Sequence, residues 1–260
     1  GACSVTNVCA DQCADGKKNG NETDVDCGGG TCGGCGAGLA CTASTDCATG
    51  YGCQDGVCYM QPPSNGLVGY WDMSQASTVK DLSGNGNDGT PTPTGAVQTA
   101  GHLGGAYLFT GGCVTGPDSS TLDMVGGGAM TMLAWVRIDN VTCNSDRVEI
   151  FNKENTYEFA YQCGTTTMQE AIQRSDGNWF WSGDQTTSVG AWTLYVVTWD
   201  GTTVKHYVNG VSTYSRALAG GVFADRATGF GIGCRGVSAA GNNNGGANFL
   251  DAIDEVAIYN

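Results

Sequence analysis

Apolar residues in this chain come in short runs separated by glycine, asparagine and aspartate. From Thr193 to Trp199, T-L-Y-V-V-T-W, they fill both alternating sets: Leu194 and Val196 on one, Tyr195, Val197 and Trp199 on the other. A strand apolar on both faces belongs in the middle of a layered β structure. Asp200-Gly201 then predicts a two-residue type I′ turn, Thr203 to Val208 returns as the second arm, and Asn209-Gly210 marks a further tight turn. Comparable runs lie at 104–112, 129–138, 149–153, 157–163, 168–181 (turning at Asp176-Gly177), 230–233 and 249–260. Short strands at regular spacing, with turn signals and no helical periodicity, predict an all-β antiparallel sandwich.

The first 58 residues break this pattern. They hold almost no apolar run and ten of the fourteen cysteines: Cys3, Cys9, Cys13, Cys27, Cys32, Cys35, Cys41, Cys47, Cys53 and Cys58. The remaining four, Cys113, Cys143, Cys163 and Cys234, lie in the longer part, so each part has an even number. Such density predicts disulfides and an oxidising, extracellular setting, with a connectivity that spacing alone leaves open. Cys32-Gly-Gly-Cys35 reads as structural disulfide chemistry rather than zinc, since residues 1–58 contain no histidine. Gly1-Ala2-Cys3 leaves a lipidated Cys3 open, although the even count favours a paired one. Tyr59 to Asn65, Y-M-Q-P-P-S-N, reads as a stiff linker. The expected organisation is therefore a stapled module at 1–58, a linker at 59–65 and a β domain at 66–260.

Composition then excludes some function classes. A formal charge of −14 argues against nucleic acid, whose phosphates need clustered Lys and Arg, and no segment approaches the roughly 18 apolar residues of a membrane span. Asn21-Glu22-Thr23 and Asn140-Val141-Thr142 are glycosylation sequons.

The pattern G-x-W-x4-V-T-W-D-G-x-T-x3-Y-V-N-G from Gly190 to Gly210 resembles the central hairpin of laminin-G-like, concanavalin-A-like jelly-roll domains of bacterial surface proteins. G-L-V-G-Y-W-D-M-S from Gly66, the loop D-L-S-G-N-G-N-D-G from Asp81 to Gly89, and F-L-D-A-I-D-E-V-A-I-Y-N from Phe249 resemble that family's opening strand, glycine-asparagine loop and closing strand. The Cys13 to Cys35 and Cys41 to Cys58 segments resemble cysteine-rich repeats of myxobacterial surface proteins. The resemblance implies a secreted or surface-displayed protein, and the stop at Asn260, where the family usually continues, suggests a fragment, or a processed or partly ordered product. It implies no single activity, because this fold serves lectins, adhesion modules and some glycan-cleaving enzymes.

Three candidate sites follow. Strand alternation sets Asp254 on the side of Val256 and Ile258. An unpaired carboxylate facing the core would cost several kcal/mol, a cost that a metal ion relieves. The resemblance implies calcium at Asp254 and, with it, at Asp81, Asn85 and Asn87. The bland alternative is turn-capping amides and an Asp254 that accepts backbone hydrogen bonds. The loop is no EF-hand, because Thr92 stands where a bidentate glutamate would close it. A second oxygen-rich loop, Asp15 to Asp26, reads either as a partial calcium loop or as a solvated acidic turn. Trp179 and Trp181 share one strand face roughly 7 Å apart and suit either sugar stacking or the core. Gln173, Asn178 and Asp184 are polar partners within reach in sequence.

Catalysis finds little support. No E-x-D-x-x-E strand of the laminarinase type occurs, and neither His102 nor His206 sits near a nucleophile motif; His206, alternating with Val204 and Val208, reads as a packed strand residue. The expectation is a non-catalytic protein that binds glycans or another surface, with a structural calcium. The alternative is a self-associating subunit of an extracellular assembly.

Overall fold

The computed structural model describes residues 12–54, 56–124, 128–140, 142–143, 145–165, 167–174, 176–186, 188–218, 226–236 and 248–260. Cys3 and Cys9 lie outside them. The chain divides into two compact units, Gly1–Ser64 and Asn65–Asn260.

In the first unit, β1 (Tyr51–Gln54) pairs with β2 (Val57–Met60), the largest regular element there. Cys13–Cys32, Cys27–Cys35, Cys41–Cys53 and Cys47–Cys58 are bonded, so Cys32 and Cys35 bond to different partners rather than to each other. The buried cluster consists of cysteine with Tyr51 packed against it. Carboxylates organise the loops: Asp46 Oδ2 accepts from the Thr42 hydroxyl (2.7 Å) and from the N–H groups of Thr42 and Ala43, while its Oδ1 accepts from Gly29. These bonds, the Thr42 hydroxyl foremost, bring its pKa down to about 2. In the acidic loop Asp26 accepts from the N–H groups of Asp15 and Gly16, Asp15 from Lys17 and Asn19, and Glu22 from Asn19. These carboxylates hold the loop's backbone in place.

The second unit is a two-sheet sandwich built from β3 (Leu67–Trp71), β4 (Thr90–Pro91), β5 (Ala96–Ala100), β6 (Gly105–Phe109), β7 (Val114–Gly116), β8 (Met130–Arg137), β9 (Arg147–Lys153), β10 (Tyr157–Gln162), β11 (Thr167–Gln173), β12 (Trp179–Thr186), β13 (Trp192–Trp199), β14 (Thr203–Val208), β15 (Val211–Ala217), β16 (Phe230–Ile232) and β17 (Ala252–Tyr259). Seven strands run β12-β11-β10-β9-β16-β7-β4 and eight run β15-β14-β13-β8-β17-β6-β5, with β3 added to β17. These strands pair antiparallel with one another. Tyr195, Val197 and Trp199 of β13 meet Trp71, Phe151, Tyr157 and Phe230 in the core between the sheets. Cys113–Cys234 and Cys143–Cys163 are bonded within this unit.

Two local expectations are corrected. The β13–β14 connection is not a two-residue type I′ turn: Gly201 has φ 88° but Asp200 does not enter the left-handed region. Asp200 Oδ1 instead accepts from the N–H groups of Thr202 and Thr203, so a side chain takes the turn's donors and widens it. The paired positive φ values occur at Asn209 (49°) and Gly210 (80°), between β14 and β15. In β17, Glu255 takes φ 51° and the register shifts between Asp254 and Ala257. This bulge reverses the expected face. Asp254 pairs with Trp135 and Ala257 with Leu133 on the outer side, whereas Val256 and Ile258 belong to the core.

Candidate functional site

Trp179 and Trp181 lie on β12, an edge strand of the seven-stranded sheet. They pair with Gln173 and Ala171, while the intervening Phe180 pairs with core Ile172 and packs against the core. Alternation therefore turns both indoles away from the opposite sheet. They are half-buried, with centroids 6.0 Å apart and planes tilted by 32°. With its amide oriented to satisfy both neighbours, Gln173 accepts from Trp179 Nε1 at 3.2 Å and donates to the Asn155 carbonyl at 2.6 Å. Asn178 is exposed and its N–H is taken by Asp176. The side chain of Asp184 lies outside the described residues.

The same face continues inward as a charged network. Trp181, Ala171, Glu158 and Asn152 form one cross-strand row. Ala171 is small, and the Arg147 guanidinium lies over Trp181, 4.2 Å from its centroid. Arg147 Nη2 is 3.1 Å from Glu158 Oε2, and Arg235 Nη2 is 3.1 Å from Glu158 Oε1 while its Nε is 3.0 Å from Glu154. Arg147 Nε also lies 3.3 Å from Glu149 Oε1 but off hydrogen-bond geometry, so neither oxygen of this fully buried carboxylate accepts a bond. Burial, reinforced by the Glu158 charge, holds Glu149 well above the usual carboxylate range and favours its neutral form. None of these charged residues stood out as a site in the sequence. Their signal is a charge at alternate positions of otherwise apolar strands, R-V-E-I-F and Y-E-F-A-Y.

The expected metal ligands fall into two separate hydrogen-bonded groups. Asp81 Oδ1 accepts from the N–H groups of Tyr70 (3.0 Å) and Ser83 (2.9 Å), and its Oδ2 from Asn87 (2.8 Å). Asn85 and Asn87 donate their amides to the Val68 carbonyl. These side chains fold a turn onto β3, so their polar atoms are already matched. Asp254 shares none of these partners. It is fully buried beneath the turn between β5 and β6, where its Oδ2 accepts from the N–H groups of His102 (2.8 Å) and Leu103 (3.0 Å). Its Oδ1 is buried without a partner. Burial raises Asp254 to about 7 and Glu255 to about 8; the charge of buried Asp72 adds to both, and that of Asp254 to Glu255. Tyr70 donates its hydroxyl to Glu255.

The buried oxygen without a hydrogen-bond partner is therefore at Asp254 and not at Asp81. Among the described residues, the groups of three or more His, Cys, Asp or Glu with ligand atoms within 4.8 Å of one another are Cys41–Cys47–Cys58 and Cys13–Glu22–Cys32, whose sulfurs are in disulfides. An ion at Asp254 would need backbone or solvent oxygens to complete its shell.

The histidines take other roles. His102 stacks on Trp135, with centroids 3.5 Å apart. His206 is buried, and its Nε2 meets Glu170, which also binds the Ser182 hydroxyl. Sheet packing brings this serine, histidine and carboxylate together from three strands, which no sequence motif signalled. In a hydrolytic triad the imidazole bridges serine and acid through different nitrogens. Here both neighbours face Nε2 and His206 Nδ1 is buried without a partner. The cluster ties the two sheets together.

Comparison with known proteins adds the fold's relatives. The profile described as Laminin_G_3, the concanavalin A-like lectin/glucanases superfamily, matches residues 110–260. No curated protein matches the chain in sequence. Among solved structures it is similar to the binding domain of Paraclostridial Mosquitocidal Protein 1, at TM-score 0.58 and 14% identity over 75% of this chain and 49% of that one. The botulinum neurotoxin serotype G binding domain matches at TM-score 0.56 and 12% identity over 74% and 47%. The chain thus spans about half the length of these toxin domains. Domain 4 of AbnA, a GH43 extracellular arabinanase from Geobacillus stearothermophilus solved with arabinotriose, matches at TM-score 0.53 and 21% identity over 74% of this chain and 91% of that domain.

Proposed function

From the premise that this chain belongs to the concanavalin A-like lectin/glucanase superfamily, we propose that it is a secreted, non-catalytic module recognising glycans through Trp179 and Trp181. The carrying observation is the outward-facing indole pair beside a fixed guanidinium on an edge strand. Apolar sugar C–H faces suit indole surfaces, and the adjoining charged groups suit hydroxyls. The arabinanase domain is a sandwich of the same fold that holds an oligosaccharide, and the toxin neighbours are binding domains, which supports a binding role. Disulfides in both units fit an oxidising compartment outside the cytoplasm. No helix among the described residues is long and apolar enough to cross a membrane.

The test is a glycan array followed by titration of the best oligosaccharides. Trp181→Ala and Trp179→Ala are expected to weaken binding by at least tenfold with unchanged circular dichroism. Full affinity in both variants sinks the platform.

The expected calcium site narrows within this reading to Asp254, with Asp72 and Glu255 supplying negative charge. The orphaned buried Oδ1 of Asp254 supports it. The ion's role would be structural, neutralising a buried acidic group and pinning the 101–104 turn to β17. One observation favours the second reading, self-association: β15 is an edge strand whose residues are exposed on both faces. A single monomeric species in light scattering at high concentration would remove it.

A further inference from the structure

Arginines cluster where the indoles are. The chain has six, against a formal charge of −14. Arg147 covers Trp181, and Arg235 shares Glu158 with it. Arg174 opens the turn that leads into Trp179, its N–H donating to the Asn178 carbonyl. Arg216 reaches across from β15 to the free edge of β12, where its Nη1 donates to the Trp181 carbonyl at 3.1 Å and its guanidinium lies 4.8 Å over the Phe180 ring. Arg147 and Arg216 thus touch the strand that carries the tryptophans, while Arg174 and Arg235 each stand one residue further off.

They are not equivalent. Arg147 and Arg235 are bound to buried carboxylates, and Arg174 is 3.4 Å from Asp176. Arg216 is exposed and has no acidic partner among the described residues, although acids outnumber bases by 25 to 11. A carbonyl and an aromatic face hold its planar fork in place, and its other N–H donors have no hydrogen-bond partner among the described residues. This geometry suits a carboxylate or sulfate oxygen.

We infer that the Trp179–Trp181 platform takes anionic glycans, sugars bearing carboxylate or sulfate, with the ring stacked on the indoles and the anionic group received by Arg216. The inference rests on the glycan reading and sharpens its ligand class. Recognition is local: at about 0.15 M salt the screening length is about 8 Å, so the protein's overall negative charge does not bar an anion from a guanidinium at contact distance.

The experiment uses the full chain at that ionic strength and follows tryptophan fluorescence against matched pairs: oligogalacturonate and its methyl ester, dextran sulfate and dextran. An arabino-oligosaccharide and a thymidine oligonucleotide complete the set. The anionic member of at least one pair is expected to bind about tenfold more tightly than its neutral counterpart. Arg216→Gln should erase that difference, and Arg216→Lys should retain part of it. Arg216 is exposed, so these variants are expected to fold, which unchanged circular dichroism verifies. Equal binding of both members of each pair, a preference that survives Arg216→Gln, or equally tight binding of the oligonucleotide overturns the inference. If neutral sugars still bind through Trp181, the glycan reading stands without it; if no sugar binds, both fall.

Discussion

Single side chains decide the chemistry, and Asp254 shows how. Strand alternation assigned it to the core face, but the left-handed Glu255 turned it outward, and the 101–104 turn then buried it. Alternation gave it the wrong face, because nothing local announces a bulge at a glutamate. Its raised pKa carries a stability consequence. Between the ordinary carboxylate range near 4 and the folded values of about 7 and 8, native Asp254 and Glu255 hold protons that the unfolded chain releases. Stability in chelator is therefore expected to fall as pH rises across that window, by a few kcal/mol at about 1.4 per pKa unit. Thermal unfolding at pH 5 and pH 8 measures it, and Asp254→Asn should flatten the slope. Calcium should restore the wild-type protein at pH 8 and not the variant; an unchanged melting temperature on adding calcium counts against the ion.

Elements were more legible than single residues. Most jelly-roll strands lie where short apolar runs end in glycine or Asx, because alternation and turn chemistry are local properties. The turns themselves were misassigned in one instance, at Asp200-Gly201, where a side-chain carboxylate overrode the dipeptide preference. That difference is measurable. A Cβ at Gly210 would enter open space, whereas one at Gly201 would come within 2.7 Å of the Gly128 carbonyl, and both positions have φ above 79°. Gly210→Ala should cost about 1 kcal/mol and Gly201→Ala roughly twice that, read from urea midpoints. Strand β15, polar and exposed, escaped notice because it lacks the apolar set that marks a buried strand.

At the scale of the whole molecule, the two units rest on different physics. The first unit's buried cluster is cysteine with one tyrosine beside it, while the second has a continuous apolar core. Small cores need covalent staples. Reduction is therefore expected to open the 12–64 region to protease while the sandwich keeps its far-UV signature. Cleavage within the sandwich first, or none at all, contradicts this division.

Patterns confined to a few neighbouring residues were settled by the sequence alone: the β class, the places of most strands, the stapled module and the shared face of the β12 indole pair, though not which way that face points. What depended on residues distant along the chain emerged only on folding. Arg147, Glu158 and Arg235 meet beside Trp181, Arg216 arrives from another sheet, and Ser182, Glu170 and His206 converge between layers. The Asp81 loop likewise parted from Asp254, because backbone donors had already claimed its oxygens. Alternation tells which face a side chain takes, but only the packing of sheets and turns decides who meets it there.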